Sequence, residues 1–279
     1  MGVRLIAIDI DGTLLDSRWQ LPPTNREAIV AAVTRGIEVA LVTGRRFDFA
    51  LPIAGEIPCA LTMIVNNGAL IKAKDGTTYL RHLLPRDVAK QVLAATPEFR
   101  AGAAVVFDRP RENQVVMEFM DWDDPGRRSY FERNRDFLAQ VSPLESCLTE
   151  DPIQVMFSGP VERLRELAGV LRGMELADRF ALALTEYESR NFSLVDVVAP
   201  GISKGSTLAE WARQRGYLPA NVMAIGDNLN DREMLEFAGL PVVMGNSVPE
   251  LKDLGWHVTL TNDQGGVAAA IERFALQAS

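Results

Sequence analysis

The first apolar run of the chain, Val3, Leu5, Ile6, Ala7 and Ile8, shows no polar alternation and no helix start signal ahead of it. That pattern predicts a strand covered on both faces, as in a parallel sheet. The next segment, PPTNREAIVAAVTRG, puts proline and threonine before apolar residues at helical spacing (Ala28, Ile29, Ala32, Val33) and ends on Gly36, where a helix stop belongs. IEVALVTGR and LTMIVNNG follow as short apolar runs that end in small or polar residues. Strand, helix, strand in this rhythm predicts an α/β doubly wound parallel sheet, whose ligands bind beyond the carboxyl ends of the strands.

The rhythm changes after a hairpin signal at Asp75-Gly76. From about Leu83 to Tyr187 the pattern predicts helix RDVAKQVLAAT, strands AAVVFD and NQVVMEFM, and a helix near RSYFERNRDFLAQV. Strand IQVMFS, helix VERLRELAGVLRGM and strand FALAL follow. This is an α+β segment with antiparallel pairs. From SLVDVVAP onward the first rhythm returns, through helix KGSTLAEWARQRG, strand VMAIGD, helix NDREMLEFAG, strand PVVMG and a terminal helix GVAAAIERFALQ. An inserted domain accounts for this order better than two tandem domains. The expected division is 1–83 with 196–279 for the core and 84–195 for the insert.

Composition narrows the function classes. The 279 residues are 47% hydrophobic and 24% charged, ordinary for a soluble globular protein with a sizeable core. With 29 basic and 37 acidic residues the net charge is −8, which argues against a nucleic-acid or anionic-membrane partner held by charge alone. Cys59 and Cys147 are far apart and form no C-x-x-C, so neither a disulfide framework nor a zinc site is indicated, and a reducing cytoplasm fits best. No signal-peptide pattern and no apolar stretch of about 20 residues is present.

Against that ordinary background, AIDIDGTLLD ends the first strand in two carboxylates. Asp9 and Asp11 would leave an extended strand on the same side, about 7 Å apart. At an effective dielectric near 20 they would repel by about 2.4 kcal/mol before desolvation is counted. A divalent cation such as magnesium, which prefers carboxylate oxygens, would offset this. A plainer account makes Asp11-Gly12 a turn with no chemistry. The remaining strand ends favour the chemical one: Thr43-Gly44-Arg45 closes the second strand, Gly226-Asp227 closes a later one with Asn230 and Asp231 behind it, and Lys204 opens the helix between. Three acidic strand-end sites, a hydroxyl and a lysine on one rim exceed what capping requires.

In these motifs the chain resembles the haloacid dehalogenase superfamily, in particular its Cof-type subfamily IIB of sugar-phosphatase-like enzymes. DIDGTL, VTGR, GISKG and GDNLND stand in the family's order, with NNGA and VVMGNS between and after them, and the likeness covers nearly the whole length. Ile10 and Ser247 are small departures. The resemblance implies a Rossmann-like core with an inserted α+β cap of type C2B that closes over the leaving group. It also implies a Mg2+-dependent phosphatase acting on small phosphate monoesters, sugar phosphates first and phosphorylated cofactors next. Asp9 would be the nucleophile that becomes an aspartyl phosphate, and Asp11 the general acid and then base. The metal would be held by Asp9, the Asp11 carbonyl and Asp227, with Asp231 beside it. Thr43 and Lys204 would hold the phosphate, Gly12 and Gly44 would offer backbone amides, and Asn230 would orient Lys204 or the phosphate. Arg45 and Asn67 lie on the same rim as candidate substrate contacts, although Arg45 also reads as a helix-surface charge.

A phosphomutase on the same scaffold, or a non-catalytic phosphate-sensing module, are the alternatives; a module of the second kind usually lacks the nucleophile or acid, and both are here. The implied partner is a small phosphorylated metabolite, with no nucleic acid and no membrane. His82 and His257 read as packed or exposed side chains, Trp211 as the apolar side of its helix beside Leu208, and Trp122 as surface packing.

Overall fold

The computed structural model describes residues 2–123 and 125–277. The chain opens with β1 (Leu5–Asp9), a tight turn, α1 (Pro23–Thr34), β2 (Glu38–Val42), α2 (Phe47–Gly55), β3 (Thr62–Val65), β4 (Leu70–Ala73) and β5 (Thr78–Arg81). Its middle forms α3 (Arg86–Ala95), β6 (Ala103–Val106), β7 (Val115–Met117), α4 (Pro125–Asn134), β8 (Leu138–Gln140), β9 (Gln154–Gly159), α5 (Val161–Arg172), β10 (Ala181–Tyr187) and β11 (Phe192–Val198). Then come α6 (Lys204–Gln214), β12 (Val222–Gly226), α7 (Arg232–Phe237), β13 (Leu240–Val243), α8 (Pro249–Lys252), β14 (His257–Val258) and α9 (Gly266–Ile271). Two compact units result: Met1–Arg81 with Ile202–Ser279, and His82–Gly201.

The first unit holds an eight-stranded sheet in the order β14-β13-β12-β1-β2-β3-β4-β5. Strands β14 to β3 run parallel, and the Asp75-Gly76 hairpin adds β4 and β5 antiparallel at the edge. β1 is central, with Ile8 opposite Leu41 on one side and Ile225 on the other. All five of its residues are buried, which is why its sequence is an unbroken apolar run. On one face of the sheet Leu5, Ala7, Val42 and Ala224 pack with Leu208 and Trp211 of α6. The indole N–H of Trp211 finds its partner in Glu38 Oε1 at 2.7 Å. The chain leaves β1 toward β2 on one side and returns to it through β12 on the other. That reversal of strand order at β1 leaves a crevice at the carboxyl end of the strand, and Asp9 is its last residue.

The second unit is a six-stranded sheet in the order β10-β11-β9-β6-β7-β8, antiparallel except for β7 beside β8. α3 and α5 contribute Val88, Val92, Leu164 and Leu167 to a core shared with Val105, Phe157 and Val195.

Three expectations change. The helix expected over RSYFERNRDFLAQV stops at Asn134, and Leu138–Gln140 instead pairs with Val115–Met117 as β8. Its Ala139, with Val141 after it, packs on the core, contacts that extended backbone at a sheet edge provides. SLVDVVAP does not restart the first rhythm. As β11 it pairs with β10 on one side and β9 on the other, and a strand bonded on both sides reads as apolar in either kind of sheet. The insert therefore runs from His82 to Gly201, two residues before and six residues beyond the expected 84–195.

Candidate active site

Every candidate residue belongs to the first unit, and the parallel sheet brings them together at one rim. Asp9 ends β1, Thr43 follows β2, Asn67 follows β3, Asp227 follows β12, and Lys204 begins α6. The Ser203 hydroxyl caps α6 by accepting the Ser206 N–H at 3.1 Å, which sets the first helical turn and with it the origin of the lysine side chain.

The centre is a buried ion cluster. Lys204 Nζ donates to Asp9 Oδ1 at 2.6 Å and to Asp231 Oδ1 at 2.7 Å, with side-chain exposures of 2%, 5% and 0% for the three. Asp231 Oδ2 accepts the backbone N–H groups of Asp227 and Asn228 at 3.0 and 3.1 Å. Asp227 Oδ1 accepts the Thr13 hydroxyl at 2.8 Å. Carboxylate oxygens of Asp9, Asp227 and Asp231 lie within 4.8 Å of one another. Burial, then the charge of Asp231, raises the Asp9 pKa well above the carboxylate range, and burial followed by Asp231 pushes Asp227 up to about 7. Burial opposes the charge on Lys204, yet Asp231 and Asp9 hold its pKa above that of an ordinary lysine.

Those shifts follow from a charge deficit: three carboxylates face one ammonium. The donor set fits a hard divalent cation, because Asp9 Oδ2 and Asp227 Oδ2 take part in none of the hydrogen bonds found among the described residues. Asp231, expected beside the metal, joins the cluster but commits one oxygen to Lys204 and the other to the loop backbone.

Asp11 departs from the extended-strand picture. β1 stops at Asp9, and Ile10–Leu14 forms a turn closed by the Leu15 N–H on the Ile10 carbonyl at 3.0 Å. Gly12 makes it with φ of +83°, and a Cβ there would fall 2.3 Å from Asp227 Oδ2, so glycine supplies both the backbone turn and the space for that carboxylate. The turn carries Asp11 to Arg45. The guanidinium grips the carboxylate with Nε 2.8 Å from Oδ2 and with Nη2 on Oδ1. Arg45 is therefore an ion-pair partner of Asp11, not a free helix-surface charge. Thr43 is buried, and its hydroxyl accepts the Arg45 N–H at 3.1 Å. Asn67, at φ +54°, packs on Gly44, where a Cβ would lie 2.9 Å from its Oδ1; that glycine makes room for a side chain. Asn230 is half-buried in the turn that delivers Asp231.

Sequence reasoning missed Thr13 and Ser247, whose hydroxyl donates to the Asp227 carbonyl at 2.7 Å. Both lie inside quoted motifs, DIDGTL and VVMGNS, but a hydroxyl that serves a residue on a distant strand leaves no local periodicity. His82 and His257 lie outside this cluster, and Trp211 packs beside Leu208 as expected. No helix of the described residues is long and apolar enough to cross a membrane.

A family model described as haloacid dehalogenase-like hydrolase matches residues 6–271. The HMP-PP phosphatase of Serratia proteamaculans is 32% identical over 251 residues, covering 90% of this chain and 87% of that protein. The 5-amino-6-(5-phospho-D-ribitylamino)uracil phosphatase YcsE of Bacillus subtilis is 30% identical over 276 residues, covering 99% and 97%. A solved haloacid dehalogenase-like hydrolase from B. subtilis superposes with a TM-score of 0.81 at 26% identity, over 97% of this chain and 99% of that one.

Proposed function

We propose that this chain, which belongs to the haloacid dehalogenase-like hydrolases and is a phosphatase, hydrolyses small phosphate monoesters through an aspartyl phosphate on Asp9. The observation that carries the reading is the Asp9 carboxylate at the end of the central strand, bonded through one oxygen to a buried lysine and lying within 4.8 Å of two further carboxylates. A carboxylate nucleophile divides one difficult displacement into two easier ones. Asp9 would attack phosphorus through one carboxylate oxygen and keep the other for the cation. Lys204, with the Thr43 hydroxyl, would hold the phosphate oxygens as negative charge builds on them. Asp11 would give its proton to the departing alcohol oxygen and then take one from the water that opens the acyl phosphate.

Asp9, Asp227 and the Asp11 carbonyl would hold magnesium, with Asp231 anchoring Lys204 beside it. The ion, when bound, supplies positive charge against the phosphate and the carboxylates. A primary phosphate on a sugar or polyol is the favoured substrate, in keeping with the sugar-phosphatase resemblance and with a relative named for a 5-phospho-D-ribityl compound. Release of inorganic phosphate from a panel of sugar and cofactor phosphates tests the reading. Activity should vanish with EDTA, return with Mg2+, and be absent in Asp9→Asn; full turnover by that variant refutes the assigned nucleophile.

A further inference from the structure

The loop between the first turn and α1 is built by Asp16. Its Oδ1 accepts the N–H groups of Arg18 and Gln20 at 2.9 and 2.8 Å, and its own N–H donates to the Gln20 carbonyl at 2.9 Å. The Ser17 N–H donates to Asp263 Oδ1 at 2.8 Å, which ties the loop to the turn ahead of α9. In that frame Trp19 takes φ of +63°, and its N–H donates to the Asp16 carbonyl at 3.0 Å. Bulky side chains rarely occupy this left-handed region; where they do, the surrounding contacts over-determine them, and such residues cluster at functional sites. Trp19 is 45% exposed, and its ring centroid lies 5.6 Å from Arg45 Cζ. Arg45 in turn forks onto Asp11.

We propose that Trp19 is a positioning residue: its ring holds the Arg45 guanidinium by a cation–π contact, and the planar fork of Arg45 then fixes the orientation of the Asp11 carboxyl. This rests on the phosphatase reading above. A carboxyl group offers about four lone-pair directions. The fork takes those facing the guanidinium and leaves the outward ones for the proton Asp11 delivers. In that step an Asp9 oxygen bonds to phosphorus, the ester P–O bond breaks with its electron pair staying on the leaving oxygen, and the Asp11 proton joins that oxygen. A carboxyl whose plane is free to turn would deliver the proton less often, with no change in the attack by Asp9.

Esters that differ in leaving group separate these effects. An alkyl phosphate leaves as an alkoxide and needs the proton, whereas 4-nitrophenolate departs without it. Trp19→Ala should lower kcat/KM for the chain's best sugar phosphate about tenfold or more beyond its effect on 4-nitrophenyl phosphate, within the range that general acid catalysis supplies. Trp19→Phe, which keeps a ring beneath the guanidinium, should restore most of that difference. Equal losses on both esters, or no loss on the sugar phosphate, overturn the proposal. If Trp19→Ala does not fold, Trp19→Leu against Trp19→Phe decides in the same way, the leucine variant alone showing the selective loss. A wild-type chain that cleaves neither ester removes the phosphatase reading and this inference with it; cleavage of both leaves the Trp19 variants to judge the inference alone.

Discussion

Lys204 and Asp9 form an ion pair of 2.6 Å in which the lysine side chain is 2% exposed and the aspartate 5%. A pair so dry gains little from forming, because desolvation offsets most of the attraction, but it costs much to break. Asp231 shares the same ammonium at 2.7 Å, so removing the lysine strands two buried carboxylates at once. Lys204→Met should therefore lose about 3–5 kcal/mol of stability, read as a lower urea midpoint. Asp231→Asn placed in the same chain should recover part of it. A midpoint unchanged in Lys204→Met would show that the cluster is solvated.

The metal-free protein should weaken as pH rises. Asp227 has its pKa raised from an ordinary 3.8 to about 7, and Asp9 is also raised. Between those values the folded state keeps protons that the unfolded chain has already lost, so stability present below about pH 4 declines through pH 7. Magnesium supplies the missing charge, and the decline should flatten when it is present. Thermal midpoints from pH 5 to 8 in EDTA and in Mg2+ check this, and parallel curves in the two conditions would contradict it.

Gly12→Ala sets two costs against the turn. Left-handed backbone disfavours alanine by about 1–2 kcal/mol. The new methyl would also sit 2.3 Å from Asp227 Oδ2, so that carboxylate must move. The Mg2+ concentration giving half-maximal activity should rise about 10- to 100-fold, the usual effect of disturbing the surroundings of a metal ligand. Titration of activity against Mg2+ measures it.

Thr13→Val keeps the shape and removes the 2.8 Å hydrogen bond to Asp227 Oδ1. That bond lowers the Asp227 pKa against its burial, so its loss should move the pH at which Mg2+ binds upward. The half-saturating Mg2+ concentration at pH 7 should again rise about 10-fold or more. Comparison at pH 8.5 should narrow the gap, because both proteins are then deprotonated at Asp227; an equal gap at both pH values would rule out this explanation.

What the sequence alone determined was the periodic part. β1, β2, β3, α1, α6 and β12 were legible because each buries a continuous or helically spaced apolar face, and the strand ends followed from where apolar residues give way to Asp9, Thr43 and Asp227. The insert was legible as a change of rhythm, but its far boundary was not. β11 lies between two strands of the second sheet, and burial on both faces gives the same apolar signature in either unit. Tertiary structure also decided how the site's side chains are shared out. Lys204 bridges Asp9 and Asp231, Arg45 takes Asp11, Thr13 serves Asp227, and Trp19 lies against Arg45. Those partners are 26 to 214 positions apart, and no local pattern of apolar and polar residues encodes which carboxylate a distant cation will choose.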